Sequence, residues 1–467
     1  MRLPSTEKRG GYFWIPGDPT KRVPGFLEVS DTGESSLEML GHLGELLAPM
    51  GSQVPGNGTV LGTLESGKPV TLEGCFYLSR QFQYGLGADR FTRSKLHVHR
   101  ALLGAHFSDP DGTQFNRLHV KIEGLDEWMD SPGFQQTVDF ESNSGTISYT
   151  RPDPLVANLS EGLSLKFAFA WTPPSLPMLT EATIRQRAYI CLESQAPRSL
   201  VDLVTMVAKL NNFVSLAVDE TVSITSVEGY SRDLRMSVSE GQNWEIPVSV
   251  YYPSLPRSTK PPKLLWHAML FRRKDVEARL GSMINAWCSC FEQARPAFSL
   301  YFAARSGAHR YLDSKFLALA QGLETLHRRF DSQTQYPAEE FLDLRNRIVA
   351  GCPPKFQKWL KGKLEFANEL TLRERLQQLL EPFAELFGSK KERKGLISKV
   401  VVTRNYFTHF SPGLAKDAAD GKELSDICMV LEVVFQLHFL RLIGLRDEEI
   451  IVIAKKNDRT RQKLKLR

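Results

Sequence analysis

The chain has few cysteines, no leader-like start and no clean membrane-spanning run, and each shortage excludes a class of protein. Its 467 residues include only 6 cysteines, so a disulfide scaffold is excluded and free thiols are expected. Cys288-Ser-Cys290 has no second cysteine pair or spaced histidine pair to complete a tetrahedral set, which favours free thiols over a zinc site.

The best membrane candidate, residues 428–443, falls short of the ~20 apolar residues that a span needs. It is interrupted by Glu432, Gln436, His438 and Arg441. No apolar stretch of signal-peptide length follows the first residues. We therefore expect a cytoplasmic protein with no membrane partner.

What the chain does contain is typical of a globular protein, with 42% hydrophobic and 24% charged residues. Up to about residue 260, short apolar runs alternate with polar residues and turn formers, which predicts antiparallel strands, with one helix at residues 199–210. After about residue 260, apolar residues recur at helical spacing. The predicted helices are residues 274–293, 313–329, 338–349, 372–386, 395–410 and 422–443.

The fold class that follows is α+β multidomain, a β-rich, sandwich-like N-terminal half followed by an all-α bundle. Residues 253–262 contain four prolines, which predicts a linker. The predicted limits are a β-rich domain at 1–252, a linker and connecting helix at 253–310, a bundle at 311–454, and a basic tail at 455–467. That tail holds seven basic residues and one acid, which accounts for the whole net charge of +6.

Several chemistries lack their sequence signals. There is no phosphate-binding glycine loop, dinucleotide fingerprint, zinc-protease HExxH or hydrolase serine elbow. His97 and His99 would share one strand face and could ligate a metal with His106 or Asp109, but surface or core histidines are the better interpretation. No metal and no cofactor is predicted.

The segment from Arg404 to His409 carries the most specific pattern. Arginine and histidine also lie five to seven positions apart three times between residues 90 and 106, but only Arg404 lies on a predicted helix and is followed by asparagine. Asn405 and His409, at i and i+4, project from one face. An imidazole can exchange a proton with a ribose hydroxyl, and a guanidinium can clamp a phosphate, so a metal-free phosphodiester site is one interpretation. A buried histidine with a salt-bridged arginine is the other.

Arg404-Asn405-x3-His409, late in a helical domain, resembles the signature of HEPN ribonucleases. Residues 316–328 resemble the first HEPN helix, in particular that of ApeA-like antiphage proteins. Gly11-Tyr-Phe-Trp-Ile-Pro and the run from Leu103 to Trp128 are similar to the N-terminal domain of that family. The resemblance implies an abortive-infection ribonuclease that dimerises through its HEPN domain and cleaves RNA, tRNA among the candidates, without metal. Arg404, Asn405 and His409 would be catalytic, with Glu324 and Tyr406 as supporting candidates.

Three hypotheses remain open. The first is a metal-independent endoribonuclease whose β-rich half senses a phage-derived trigger or restrains the nuclease. The second is a non-catalytic HEPN module that dimerises or binds nucleotides beside a ligand-binding sandwich. The third, a carbohydrate-binding or hydrolytic sandwich, lacks a pair of catalytic carboxylates. Under the first, two basic clusters are expected to contact RNA phosphates. They are Lys390, Lys391, Arg393 and Lys394, and Lys455, Lys456, Arg459 and Arg461; a solvated, frayed tail is the alternative for the second cluster.

Overall fold

A computed structural model of the chain describes residues 1–44, 52–84, 90–108, 112–176, 180–239, 242–255, 257 and 260–466. It divides into two compact units, Met1–Asn285 and Ala286–Arg467. The first is built on strands and the second on helices, so the predicted fold class is confirmed. The finer domain limits at 252, 310 and 454 stay a prediction.

The first unit is dominated by one antiparallel sheet of 14 strands in the order β12-β13-β14-β9-β15-β18-β8-β5-β4-β1-β2-β3-β7-β6. Two separate hairpins, β10–β11 and β16–β17, complete the strands of the described residues. The strands are β1 (Glu7–Trp14), β2 (Val23–Val29), β3 (Ser35–Met39), β4 (Val60–Leu64), β5 (Pro69–Glu73), β6 (Phe76–Tyr84), β7 (Arg90–Val98), β8 (Arg100–Leu103), β9 (Gln114–Ile122), β10 (Phe134–Asp139), β11 (Ser144–Tyr149), β12 (Leu155–Asn158), β13 (Leu163–Thr172), β14 (Arg185–Ser199), β15 (Ile224–Tyr230), β16 (Arg235–Ser239), β17 (Gln242–Glu245) and β18 (Val248–Tyr251).

The strands β1 to β8 surround a single apolar core. Alternate side chains of each strand point inward, as Leu37 and Met39 do on β3 and Leu96 and Val98 do on β7. Because β8 and β7 lie well apart in the strand order yet contribute to the same core, the sheet curves around it. The buried Tyr77 closes one side, its hydroxyl donating to the carbonyl of Leu43.

The first unit also contains α1 (Leu125–Met129), α2 (Leu200–Ala217) and α3 (Arg273–Val276). The predicted helix at 199–210 is confirmed as α2, which Ser199 caps by accepting from the amide of Asp202 at 3.1 Å. Of the described residues, α2 is the one helix long and apolar enough to cross a membrane. About 61% of it is buried inside the protein, where it packs on β9 and β14, so packing accounts for its apolar character.

The helices of the second unit form a bundle. α4 (Leu280–Gln293) crosses the division between the units. The helices after it are α5 (Arg295–Arg305), α6 (Leu312–Phe330), α7 (Ala338–Ala350), α8 (Pro354–Lys363), α9 (Leu372–Leu380), α10 (Lys390–His409), α11 (Gly421–Leu442), α12 (Asp447–Lys456) and α13 (Asp458–Leu464).

The centre of the bundle is aromatic and closely packed. Tyr301 of α5 contacts the rings of Phe435 and Phe439 on α11. α6 crosses α11 at Gly322, where an added Cβ would lie 2.7 Å from the Phe435 ring. A glycine is therefore required for this approach.

Four helices of the second unit were not predicted from the sequence. These are α5, α8, α12 and α13. The predicted helix at 372–386 is divided into α9 and a 3-10 turn, because Pro382 cannot supply an amide to an α-helical ladder.

The frayed-tail alternative for residues 455–467 is wrong, since α12 and α13 occupy this segment up to Leu464. Asn457 caps α13 by accepting from the amide of Thr460 at 2.8 Å. Lys463 reaches the buried Glu432 of α11 at 3.3 Å, so the segment is anchored to the bundle.

Candidate active site

The predicted site lies near the C-terminal end of α10. Ser389 and Glu392 form a capping box at the start of this helix. Ile397 and Val400 are buried and hold it to the bundle, while the hydroxyl of Thr403 accepts from the amide of Ala419 at 2.9 Å. These side chains of α10 therefore pack inward, and the residues after them are left to face outward.

Arg404 is held at the surface by two acceptors. Its Nη2 donates to Oε2 of Glu324 on α6 at 3.2 Å, and its Nη1 donates to Oδ1 of Asn405 at 3.1 Å. The Arg404 side chain is 34% exposed and that of Glu324 is 21% exposed. Because a guanidinium has five N–H donors, this arrangement orients the group and leaves donors for an incoming phosphate.

His409 is the last residue of α10 and is exposed. It follows Arg404 by about 7–8 Å along the helix axis. The helix ends there because Phe410 takes a left-handed conformation, φ 48°, and its amide bonds back to the carbonyl of Tyr406. Among the described residues the side chain of His409 has no hydrogen-bond partner, so its imidazole is available to a ligand.

Tyr406 has a packing role. Its ring lies against those of Phe407 and Phe410, which stabilises the last turn of α10. The structure thus brings Arg404, Asn405 and Glu324 into contact and places His409 one turn beyond them.

Glu324, the acidic partner of Arg404, lines a groove along α6. Its lining residues are Gln321, Glu324, Thr325, Arg328 and Arg329, and its volume is about 390 Å³. Arg328 donates to Glu324 at 3.4 Å and pairs with Glu369 at 2.7 Å. Sequence reasoning missed Arg328, although its i, i+4 spacing from Glu324 indicates a helical ion pair.

Behind this groove His327 is buried and structural. Its Nε2 donates to Oε1 of Gln378 at 2.6 Å, and its Nδ1 accepts from Arg375 at 3.2 Å. Burial lowers the pKa of His327, although the Gln378 hydrogen bond and Asp331 oppose the shift. The neutral ring therefore links α6 to α9.

RNA contact by the two basic clusters stays a prediction. The residues of these clusters differ in position and in partners. Lys390 begins α10, about 21 Å along its axis from Arg404. Lys391 and Lys394 are exposed in the first two turns of α10, and Arg393 donates to the carbonyls of Ala384 and Gly388. In the second cluster Lys455 pairs with Glu385 and Arg461 with Asp458, Lys456 is exposed, and Arg459 is half-buried.

Potential metal ligands are scattered. Within the described ranges, no three His, Cys, Asp or Glu residues are grouped to hold an ion. His97 packs on Phe76, and His106 packs on Trp14 with its Nε2 2.8 Å from the carbonyl of Gly62. Asp109 lies outside the described residues. Burial raises the pKa of the Cys290 thiol, which disfavours the thiolate that a metal would need.

The chain thus has a large β-sheet unit followed by an all-α bundle in which one helix ends with Arg-Asn-x3-His, the arrangement that the resemblance to HEPN proteins implies. The family model described as Apea-like HEPN matches residues 317–449, and that described as ApeA N-terminal domain 1 matches residues 8–287. The chain therefore belongs to the ApeA family, which places it among the antiphage effectors of the HEPN type. No curated protein and no solved structure matches it.

Proposed function

We propose that this chain is a metal-independent endoribonuclease of bacterial antiphage defence, acting in the cytoplasm on RNA, with tRNA as one candidate substrate. The observation that supports the proposal is the state of Arg404. Its side chain is partly exposed, is held between Glu324 and Asn405, and lies about one turn before an exposed His409.

The proposed reaction is transesterification within the RNA. His409 takes the proton of a ribose 2′-hydroxyl, and the 2′-oxygen forms a bond to the adjacent phosphorus. The bond from phosphorus to the 5′-oxygen breaks, and that oxygen receives a proton from an imidazolium. Arg404 stabilises the charge on the non-bridging oxygens. The products are a 2′,3′-cyclic phosphate and a free 5′-hydroxyl.

A homodimer suits this chemistry because one step needs a base and the other an acid. A two-fold axis beside α10 would bring a second His409 and a second Arg404 to the same cleft. We propose that the active form is at least a dimer through the helical unit. The β-sheet unit would then sense a phage-derived trigger and control the nuclease.

The decisive experiment incubates the purified protein with total RNA in EDTA and maps the ends. His409→Ala should lower the cleavage rate about 10²–10⁴-fold, as expected for loss of a general acid or base. His267→Ala, which removes an exposed histidine of the first unit, is the matched control and should cleave as the wild type does.

Two results would contradict the proposal. One is strict Mg²⁺ dependence with 5′-phosphate products, which belongs to a different mechanism. The other is wild-type cleavage by His409→Ala, which would favour the alternative of a non-catalytic dimerisation or nucleotide-binding module.

A further inference from the structure

The helical hairpin α7–α8 stands apart from the bundle. α8 has no buried residue, and in α7 only Val349 is buried. The two helices pack on each other, and only Gln357 and Leu360 of α8 are partly buried, while its other side chains are exposed. One face of α8 is therefore left open.

The open face of α8 alternates lysine with aromatic side chains. Lys355, Trp359 and Lys363 follow at i, i+4 and i+8, so they form one stripe along the helix, and Phe356 lies beside it. Trp359 is 61% exposed and Phe356 is 47% exposed. Large aromatic side chains at such exposure indicate a contact surface.

The charge on this helix is of one sign and unneutralised. α8 contains Lys355, Lys358, Lys361 and Lys363 and no acidic residue. In the part of the chain that the structure describes, none of these four lysines forms an ion pair. By contrast, Lys455, Lys463 and Lys465 near the C-terminus all pair with carboxylates of the bundle. α8 thus carries unpaired cationic charge, which complements a polyanion.

The base of the hairpin leads directly to the candidate active site. Asn368, which follows α8, exchanges two hydrogen bonds of 2.9 Å with the backbone of Tyr336, which precedes α7. The next residue, Glu369, pairs with Arg328 of the groove. Arg328 contacts Glu324, and Glu324 holds Arg404.

We propose that α8 binds single-stranded RNA beside the scissile phosphate, with Trp359 stacking on a base and the lysines contacting phosphates. The identity of the ligand rests on the proposed function. RNA is favoured over a second copy of the chain because the aromatic side chains alternate with unpaired lysines. Aromatic stacking and a basic track together are the features with which proteins bind single strands.

The test measures binding of a labelled, mixed-sequence 2′-O-methyl RNA, which lacks the attacking hydroxyl and cannot be cleaved. Trp359→Ala should weaken its Kd about ten-fold, equivalent to about 1.4 kcal/mol, because the stacking contact is lost. Trp359→Phe should retain most of the affinity. Trp244→Ala is the matched control, because Trp244 is 63% exposed in the first unit. Replacing the four lysines with glutamine should lower the salt slope by roughly 0.7 per lost contact.

Trp359→Leu separates RNA from a protein partner, since leucine keeps an apolar contact but cannot stack. Loss of RNA affinity in Trp359→Leu with the oligomeric state unchanged supports the proposal. Wild-type affinity and salt slope in the α8 variants, or no binding of the probe by the wild type, would overturn it. A change of oligomeric state in Trp359→Ala with unchanged affinity would assign α8 to a protein interface and overturn it too. A wild type that binds the probe through α8 yet cleaves no RNA would refute the nuclease and leave this inference standing.

Discussion

Replacing Lys463 with methionine should destabilise the helical unit, because it removes a partner from a buried carboxylate. Glu432 is 6% exposed, and its carboxylate lies 2.7 Å from Lys315 and 3.3 Å from Lys463. Burial opposes its ionisation, but Lys463, Arg305 and Lys315 outweigh that effect and lower its pKa. Glu432 is therefore a buried anion that needs its cations.

The expected loss of stability depends on how much positive charge remains beside the Glu432 carboxylate in the variant. Breaking a buried pair completely costs about 3–5 kcal/mol. Because Lys315 remains in place, we expect about 2 kcal/mol for Lys463→Met, taking roughly half of that range. For a unit of this size, that corresponds to a fall in Tm of roughly 4–8 °C.

The assay is thermal unfolding at neutral pH, with Lys456→Met as the matched control, since Lys456 is exposed on the neighbouring helix. A double-mutant cycle with Glu432→Gln should show coupling of at least about 1 kcal/mol, as neighbouring charges usually do. Equal Tm values for Lys463→Met and Lys456→Met, together with additive effects in the cycle, would refute the reasoning. The segment would then be an appendage and not part of the bundle.

Three further predictions concern the site and the core. Glu324→Ala should lower kcat about ten-fold with KM unchanged, because Arg404 loses a charge-assisted acceptor. Glu324→Gln, which keeps an acceptor oxygen, should retain most of the wild-type kcat. Equal losses of kcat in both variants would contradict a positioning role for Glu324. Burial lowers the pKa of His438 to about 4, so the unfolded chain binds a proton that the folded chain excludes. The free energy of unfolding should therefore fall between pH 6.5 and pH 4, by up to about 1.4 kcal/mol per pH unit. The amide of His438→Gln can still donate to the carbonyl of Leu379, so unfolding measured across this pH range should show a smaller loss in that variant. Mixing His409→Ala with wild-type protomers should reduce cleavage more than dilution does, and a strictly proportional loss would argue against a shared cleft.

The sequence by itself determined the features that depend on near neighbours along the chain. α6, α10 and α11 were predicted because their apolar residues repeat at helical spacing, and Asn405 and His409 share a face for the same reason. The alternation of apolar and polar residues similarly indicated the β-rich half. α8 was not predicted, although Pro354 occupies its first turn, where a proline begins a helix at no cost in hydrogen bonds.

Only the tertiary structure decided what depends on distant residues. Strand β9 lies between β14 and β15, a pairing that local alternation cannot specify. Glu324 meets Arg404 across 80 positions, and only the packing of α6 on α10 brings them together. The basic C-terminal segment is bound to the bundle because Glu432 is buried beneath it, while the lysines of α8 stay free because no carboxylate is placed against them in the described structure. Charge can be read from the sequence, but whether a charge is neutralised is a property of the fold.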